Sequence, residues 1–146
     1  MEYFTIEELT TSATATKYKI DNTIPADKVP NFIWLIEKIL DPIREKYGKP
    51  IKVNNGYRSP ALITAMLKEG YKVSPTTQHA APGYAAAADI TGGNKTENKI
   101  IFDIAKQLCD TGLIVYDQLI SENDFSWVHI GVKKNGGNRK QILYLK

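Results

Sequence analysis

Apolar residues at Val29, Ile33, Ile36, Leu40, Ile43 and Tyr47 recur at three- and four-residue spacing, which places them on one face of a helix. Gly48 and Pro50 end that run. Pro42 inside it predicts a kink or a split, because proline removes a backbone donor and crowds the preceding turn. In "RSPALITAMLKEG", Ser59 is placed to cap a helix, Pro60 to occupy its first turn and Gly70 to stop it. A third helix is predicted from about Thr96 to Leu108, with Ile100, Ile101, Ile104 and Leu108 facing inward and "DTG" ending it. A short helix at Ile6 to Leu9 opens the chain.

Elsewhere the period changes to two. "IKVNN" reads as a strand, and from Gly112 onward so do "LIVYDQLI", "SWVHIGV" and "QILYL", the last two joined by the turn-rich "KKNGGNRK". Alternation puts Val128, Ile130 and Val132 on one face of the second of these, and Trp127, His129 and Gly131 on the other. The same rule in "AADIT" sends Ala88 and Ile90 to the core and Ala87 and Asp89 to the opposite face. Asp89 and His129 can therefore project from one face of a sheet.

Composition narrows the partners. A chain of 146 residues with 42% hydrophobic content supports one core, so residues 1–146 are read as a single domain. Nineteen basic residues against 16 acidic ones, with no Lys/Arg run longer than a pair, exclude a nucleic-acid footprint. The single cysteine, Cys109, excludes an intrachain disulfide and a zinc knuckle, and reads as a small buried hydrophobe. "MEYFTIEEL" has neither a basic nor an apolar leader region, and no stretch approaches the roughly 18 apolar residues of a membrane span. Synthesis in the cytoplasm without a signal peptide, and no membrane insertion, are the expectations.

The only two histidines are His79 and His129, and Asp89 follows His79 by ten residues. Two imidazoles and one carboxylate suit a zinc ion that keeps a fourth position for water. Such a site, of net charge about +1, lowers the pKa of the bound water and polarises a scissile carbonyl. The spacing matches no common helical zinc signature. The residues alone leave two readings open, a metal site or an alanine-rich loop with an incidental histidine.

The segments "FTIEELTTSATATKYKIDNTIP", "NNGYRSPAL", "TTQH…AADIT", "YDQLI" and "SWVHIG" follow one another in this order. From Phe4 to about Gly131 the chain resembles peptidase family M15, in its phage-type branch of D-alanyl-D-alanine carboxypeptidases and peptidoglycan endopeptidases. The resemblance implies an α+β fold of the hedgehog/D-Ala-D-Ala-peptidase kind: a small, mainly antiparallel sheet carrying the metal face, flanked by about three helices. It implies one Zn2+ ion held by His79 and Asp89, from a Ser-x-His-x-x-Gly-x-Ala-x-Asp motif, and by His129, from a Trp-x-His strand. Arg58 in "GYRSP" corresponds to an arginine that binds a substrate carboxylate or stabilises an oxyanion; its bland alternative is a turn arginine paired to a neighbouring acid. Gln78 and Thr77 are expected to hold the first ligand or to line the cleft, and Trp127 to form a cleft wall or pack beside its strand, Gln78 and Trp127 being candidate substrate-binding residues with Arg58; Gln118 would offer an amide behind the ligands, and Tyr57 and Ser59 would be structural.

Two departures from the family pattern bear on function. His79 and Asp89 stand ten residues apart where the pattern has seven, with Ala85 at the position of its glycine. The position of the general base, three before the last histidine, holds Ser126, which leaves Glu122 and Asp124 as substitutes. The leading expectation is a zinc-dependent peptidoglycan peptidase that hydrolyses an amide of the stem peptide or cross-link. Its setting would be phage or prophage, and it would act at the cell wall after phage-type release or within a virion, a monomer being favoured. The alternative is a catalytically degenerate module that binds cell wall or serves as a virion structural protein.

Overall fold

The computed structural model describes residues 1–74 and 77–146; Thr76, which opens the "TTQH" stretch, lies outside the described residues. Five strands, β1 (Lys52–Asn55), β2 (Ala85–Thr91), β3 (Gln118–Glu122), β4 (Trp127–Lys133) and β5 (Gln141–Tyr144), form one sheet in the order β1-β2-β4-β3-β5. All neighbours are antiparallel except β3 and β5. Around the sheet lie α1 (Ala13–Lys17), α2 (Val29–Leu35), α3 (Asp41–Tyr47), α4 (Pro60–Lys68) and α5 (Lys95–Asp110). The fold is α+β, as the sequence predicts. Among the described residues no helix is long and apolar enough to cross a membrane.

Pro42 splits the first long helix in an unusual way. Between α2 and α3 the residues Ile36–Leu40 form a π-helical segment, and the Asp41 N–H reaches back to the Ile36 carbonyl. The wider turn gives room for a proline ring that an α-helical turn would crowd. Ile36, Leu40 and Ile43 are fully buried, as the periodicity predicts, and are joined by Phe32, Leu35 and Ile39, while Val29, Ile33 and Tyr47 are half-buried. Gly48 ends α3 in the left-handed region, its N–H bonding Arg44 O. Ser59 caps α4 by accepting from Leu62 N at 3.1 Å.

Two sequence expectations need correction. Ile100 faces solvent, 42% exposed, because the buried stripe of α5 runs through Asn98, Ile101, Phe102, Ala105, Leu108 and Cys109. Phe102 lies on the other side of Ile101 and packs edge-on to Phe125, with ring centroids 5.6 Å apart; the larger ring takes the core edge. The strand read into "LIVYDQLI" begins only at Gln118. Leu113 N and Ile114 N instead bond the Leu108 carbonyl at the end of α5, leaving Leu113 exposed.

The core fills one face of the sheet. Ala86, Ala88 and Ile90 of β2, Leu119 of β3, and Val128, Ile130 and Val132 of β4 pack against α2 and α5, and α3 packs on α5. The opposite face carries the polar residues.

Candidate metal centre and its cleft

Asp89 and His129 are register partners across the β2–β4 ladder. Directly opposed residues of an antiparallel pair put their side chains on the same face, and His129 Nδ1 lies 3.0 Å from Asp89 Oδ1. Asn55, paired with Asp89 from the β1 side, donates to the other carboxylate oxygen at 3.4 Å.

His79 arrives from a 3-10 turn, Gln78–Ala80, in which Thr77 Oγ1 accepts from His79 N. Its carbonyl accepts from Arg58 N at 2.8 Å. Its Nδ1 lies 2.7 Å from the Gly56 carbonyl. A carbonyl only accepts, so Nδ1 carries the proton and Nε2 keeps a lone pair free to ligate a metal ion. That Nε2 is 3.4 Å from Asp89 Oδ1. The donor atoms of His79, Asp89 and His129 lie within 4.8 Å of one another, and all three residues are buried.

The ten-residue separation is absorbed between residues 81 and 84. Ala81 and Gly83 adopt left-handed backbone, with φ of 55° and 58°, and fold the chain back before β2 starts. Asn31, itself buried, donates to the carbonyls of Gly83 and Ala85 at 3.1 and 3.2 Å, and Lys134 N bonds the Tyr84 carbonyl at 3.0 Å. The longer loop is therefore tied down, and His79 still meets Asp89.

Burial disfavours the charge on Asp89, but His79 and His129 outweigh it and hold the carboxyl well below the usual carboxylate range. A buried carboxylate faced by two imidazole nitrogens, one with its far nitrogen fixed by a carbonyl, is a donor set that fits a divalent cation.

A cleft of about 420 Å³ opens over these residues, lined also by Arg58, Gln78, Glu122, Trp127, Lys72 and Arg139. The Arg58 side chain is 14% exposed, and its Nη2 is 3.8 Å from Asp89 Oδ2. It lies at the cleft rather than against a turn acid, and its Nε is buried without a hydrogen-bond partner among the described residues. Tyr57 packs in the core, consistent with a structural part. Gln118 reaches the cleft edge but donates to Gln141 Oε1 at 2.6 Å, away from the three donors.

The two acids proposed as bases separate. Glu122, at the end of β3, lines the cleft, and burial pushes its carboxyl above the usual range. Asp124 is not brought there. Asn123, Asp124 and Phe125 have successive positive φ values of 47°, 54° and 63°. The turn packs the half-buried Phe125 against Phe102 and sends Asp124 outward, 3.8 Å from Lys95 Nζ. The Ser126 hydroxyl is spent within the same turn, donating to the Asn123 carbonyl.

One group escaped the sequence reading. Asp117 is fully buried and accepts from Arg139 N, Nε and Nη2 at 2.7, 3.1 and 2.7 Å, and from Gln78 Nε2 at 2.7 Å. The signal available was an acid inside the apolar "VYDQLI", which demands a cationic partner when buried; Arg139 is too far along the chain to be picked from sequence. Gln78 fills the space that Gly131 leaves, since a Cβ at Gly131 would fall well inside 3.0 Å of its Oε1.

No curated protein and no solved structure matches the chain significantly. The family model described as Peptidase M15 matches residues 2–130. That span takes in His79, Asp89 and His129 together with Arg58 and Glu122, and the chain belongs to the Peptidase M15 family.

Proposed function

We propose that this protein is a zinc-dependent peptidase that hydrolyses an amide bond in the stem peptide or cross-link of peptidoglycan. The observation that carries the reading is the convergence of His79, Asp89 and His129 beside Arg58 and Glu122 in one cleft. Zinc, when bound, supplies Lewis acidity and a water of lowered pKa. The protein's own residues do the rest. Arg58 offers a guanidinium to a substrate carboxylate or to the oxygen that gains charge at the scissile carbonyl. The Glu122 carboxylate takes the proton of the attacking water and returns it to the leaving amine. Its raised pKa suits both halves of that transfer.

A phage or prophage setting, action at the wall after release or from a virion, and a monomeric state complete the proposal. The converged donors and the acid in the cleft weigh against the degenerate binding module. The test is incubation of the zinc-loaded protein with purified peptidoglycan. New amino groups should appear with wild type and be absent with His129→Ala. If wild type releases none, the proposal fails.

A further inference from the structure

The cleft continues past the prospective metal ligands. Gln78 and Arg139 line both it and a second hollow of about 490 Å³, which lies between the turn at 82–84 and the turn at 133–137. The first of these turns belongs to the long stretch between His79 and Asp89. The second leads to Arg139, beyond the 2–130 span of the family match.

Both walls are held in place. Asn31 and Lys134 fix the backbone around Tyr84. Asn138 braces the other turn, accepting from Lys133 N at 2.8 Å and donating to Lys133 O at 3.0 Å. The hollow presents a 56% exposed Tyr84 ring together with Lys133 and Arg139, and no carboxylate among its described lining residues. Asp117 lies behind the two cations with no exposure, so it orients Arg139 without meeting a ligand. Beside one another stand a cationic wall and a flat apolar surface, adjoining the cleft that holds the three donors.

We infer that this hollow is a second substrate subsite, which takes an acidic residue of the peptide: its carboxylate against Lys133 and Arg139, its aliphatic part against Tyr84. The inference rests on the cleft being a peptidase site. The extra length between His79 and Asp89 then builds a specificity wall, and the enzyme prefers a peptide with a free carboxylate a few residues from the scissile bond.

The test is fluorescence polarisation with labelled L-Ala-D-isoGlu-L-Lys-D-Ala and its isoglutamine analogue, which differ only in one carboxylate. Zinc-loaded wild type is compared with Lys133→Gln, at a half-buried position, and Tyr84→Ala, at an exposed one. Wild type should bind the acidic peptide about tenfold more tightly than the amide, a gap that Lys133→Gln closes, as expected for one charge-assisted contact. Tyr84→Ala should weaken both peptides severalfold. Equal affinity of wild type for the two peptides, no binding of either, or no effect of either substitution overturns the inference. Amine release measured on the same samples reports separately on the peptidase reading, because the affinity difference does not require turnover.

Discussion

Gly56→Ala should damage the centre from a position that touches no substrate. A Cβ at Gly56 would come within 3.0 Å of the O, Cα and C atoms of Leu9. These are backbone atoms that cannot rotate away, and Leu9 itself is fully buried. The Leu9 carbonyl also accepts from Tyr57 N at 2.6 Å, so the added methyl pushes apart a bonded pair. Overpacking costs about 1–3 kcal/mol, and the strained hydrogen bond adds about 1 kcal/mol. At about 2–4 °C per kcal/mol for a chain of this size, the Tm should fall by roughly 5–15 °C. The Gly56 carbonyl also fixes the His79 ring, and loss of such a partner lowers metal affinity by roughly 10- to 100-fold. Thermal unfolding by circular dichroism and zinc titration against a competing chelator read the two effects. A variant within about 2 °C of wild type, with unchanged zinc affinity, would refute the reasoning.

Three further outcomes follow from the geometry. Stripping the metal with a chelator should lower the Tm by about 5–10 °C if free zinc had stood near 100 times its Kd, since that saturation is worth about 2.7 kcal/mol; differential scanning calorimetry with and without chelator checks it. Activity should rise with pH through an acid limb set by Glu122, whose burial places that limb above the ordinary glutamate range. A base must be unprotonated, so lowering the pH through this pKa removes activity, and Glu122→Gln should erase the limb with a loss of roughly 10²- to 10⁴-fold in kcat. Gly131→Ala should expel the Gln78 amide and break its bond to Asp117, costing about 2 kcal/mol in wild type. It should cost far less in a Gln78→Ala background, so additive losses in the double-mutant cycle by urea unfolding would count against this packing.

What could be read from the chain in advance depended on range. The alternation of "SWVHIGV" needs only neighbouring residues, and it placed His129 on the face away from Val128 and Ile130, where the sheet has it. Ser59 as a cap is equally local. Asp124 and Glu122 look interchangeable in sequence, yet three consecutive left-handed residues and the packing of Phe125 on Phe102 send them in opposite directions. Ile100 lost the core to Phe102 because α5 meets two rings, Phe125 and Tyr144, that are distant in sequence. The pairing of Arg139 with Asp117 depends on β5 returning to lie parallel beside β3, although it leaves from β4. No short-range pattern encodes that return.

The three donors are mounted on supports of unequal permanence. Asp89 and His129 hang from β2 and β4, interior strands of the sheet, and can separate only when that ladder opens. His79 stands on a three-residue turn held by the Thr77 hydroxyl, the Gly56 carbonyl and the Arg58 N–H, so it belongs to the class of local contacts that release below the global unfolding free energy. An ion bound at this centre would therefore lose its histidine from the loop before the pair on the sheet. Its residence time would then depend on how firmly the loop is held, so a substitution confined to the loop, such as at Thr77, would change the dissociation rate out of proportion to the melting temperature.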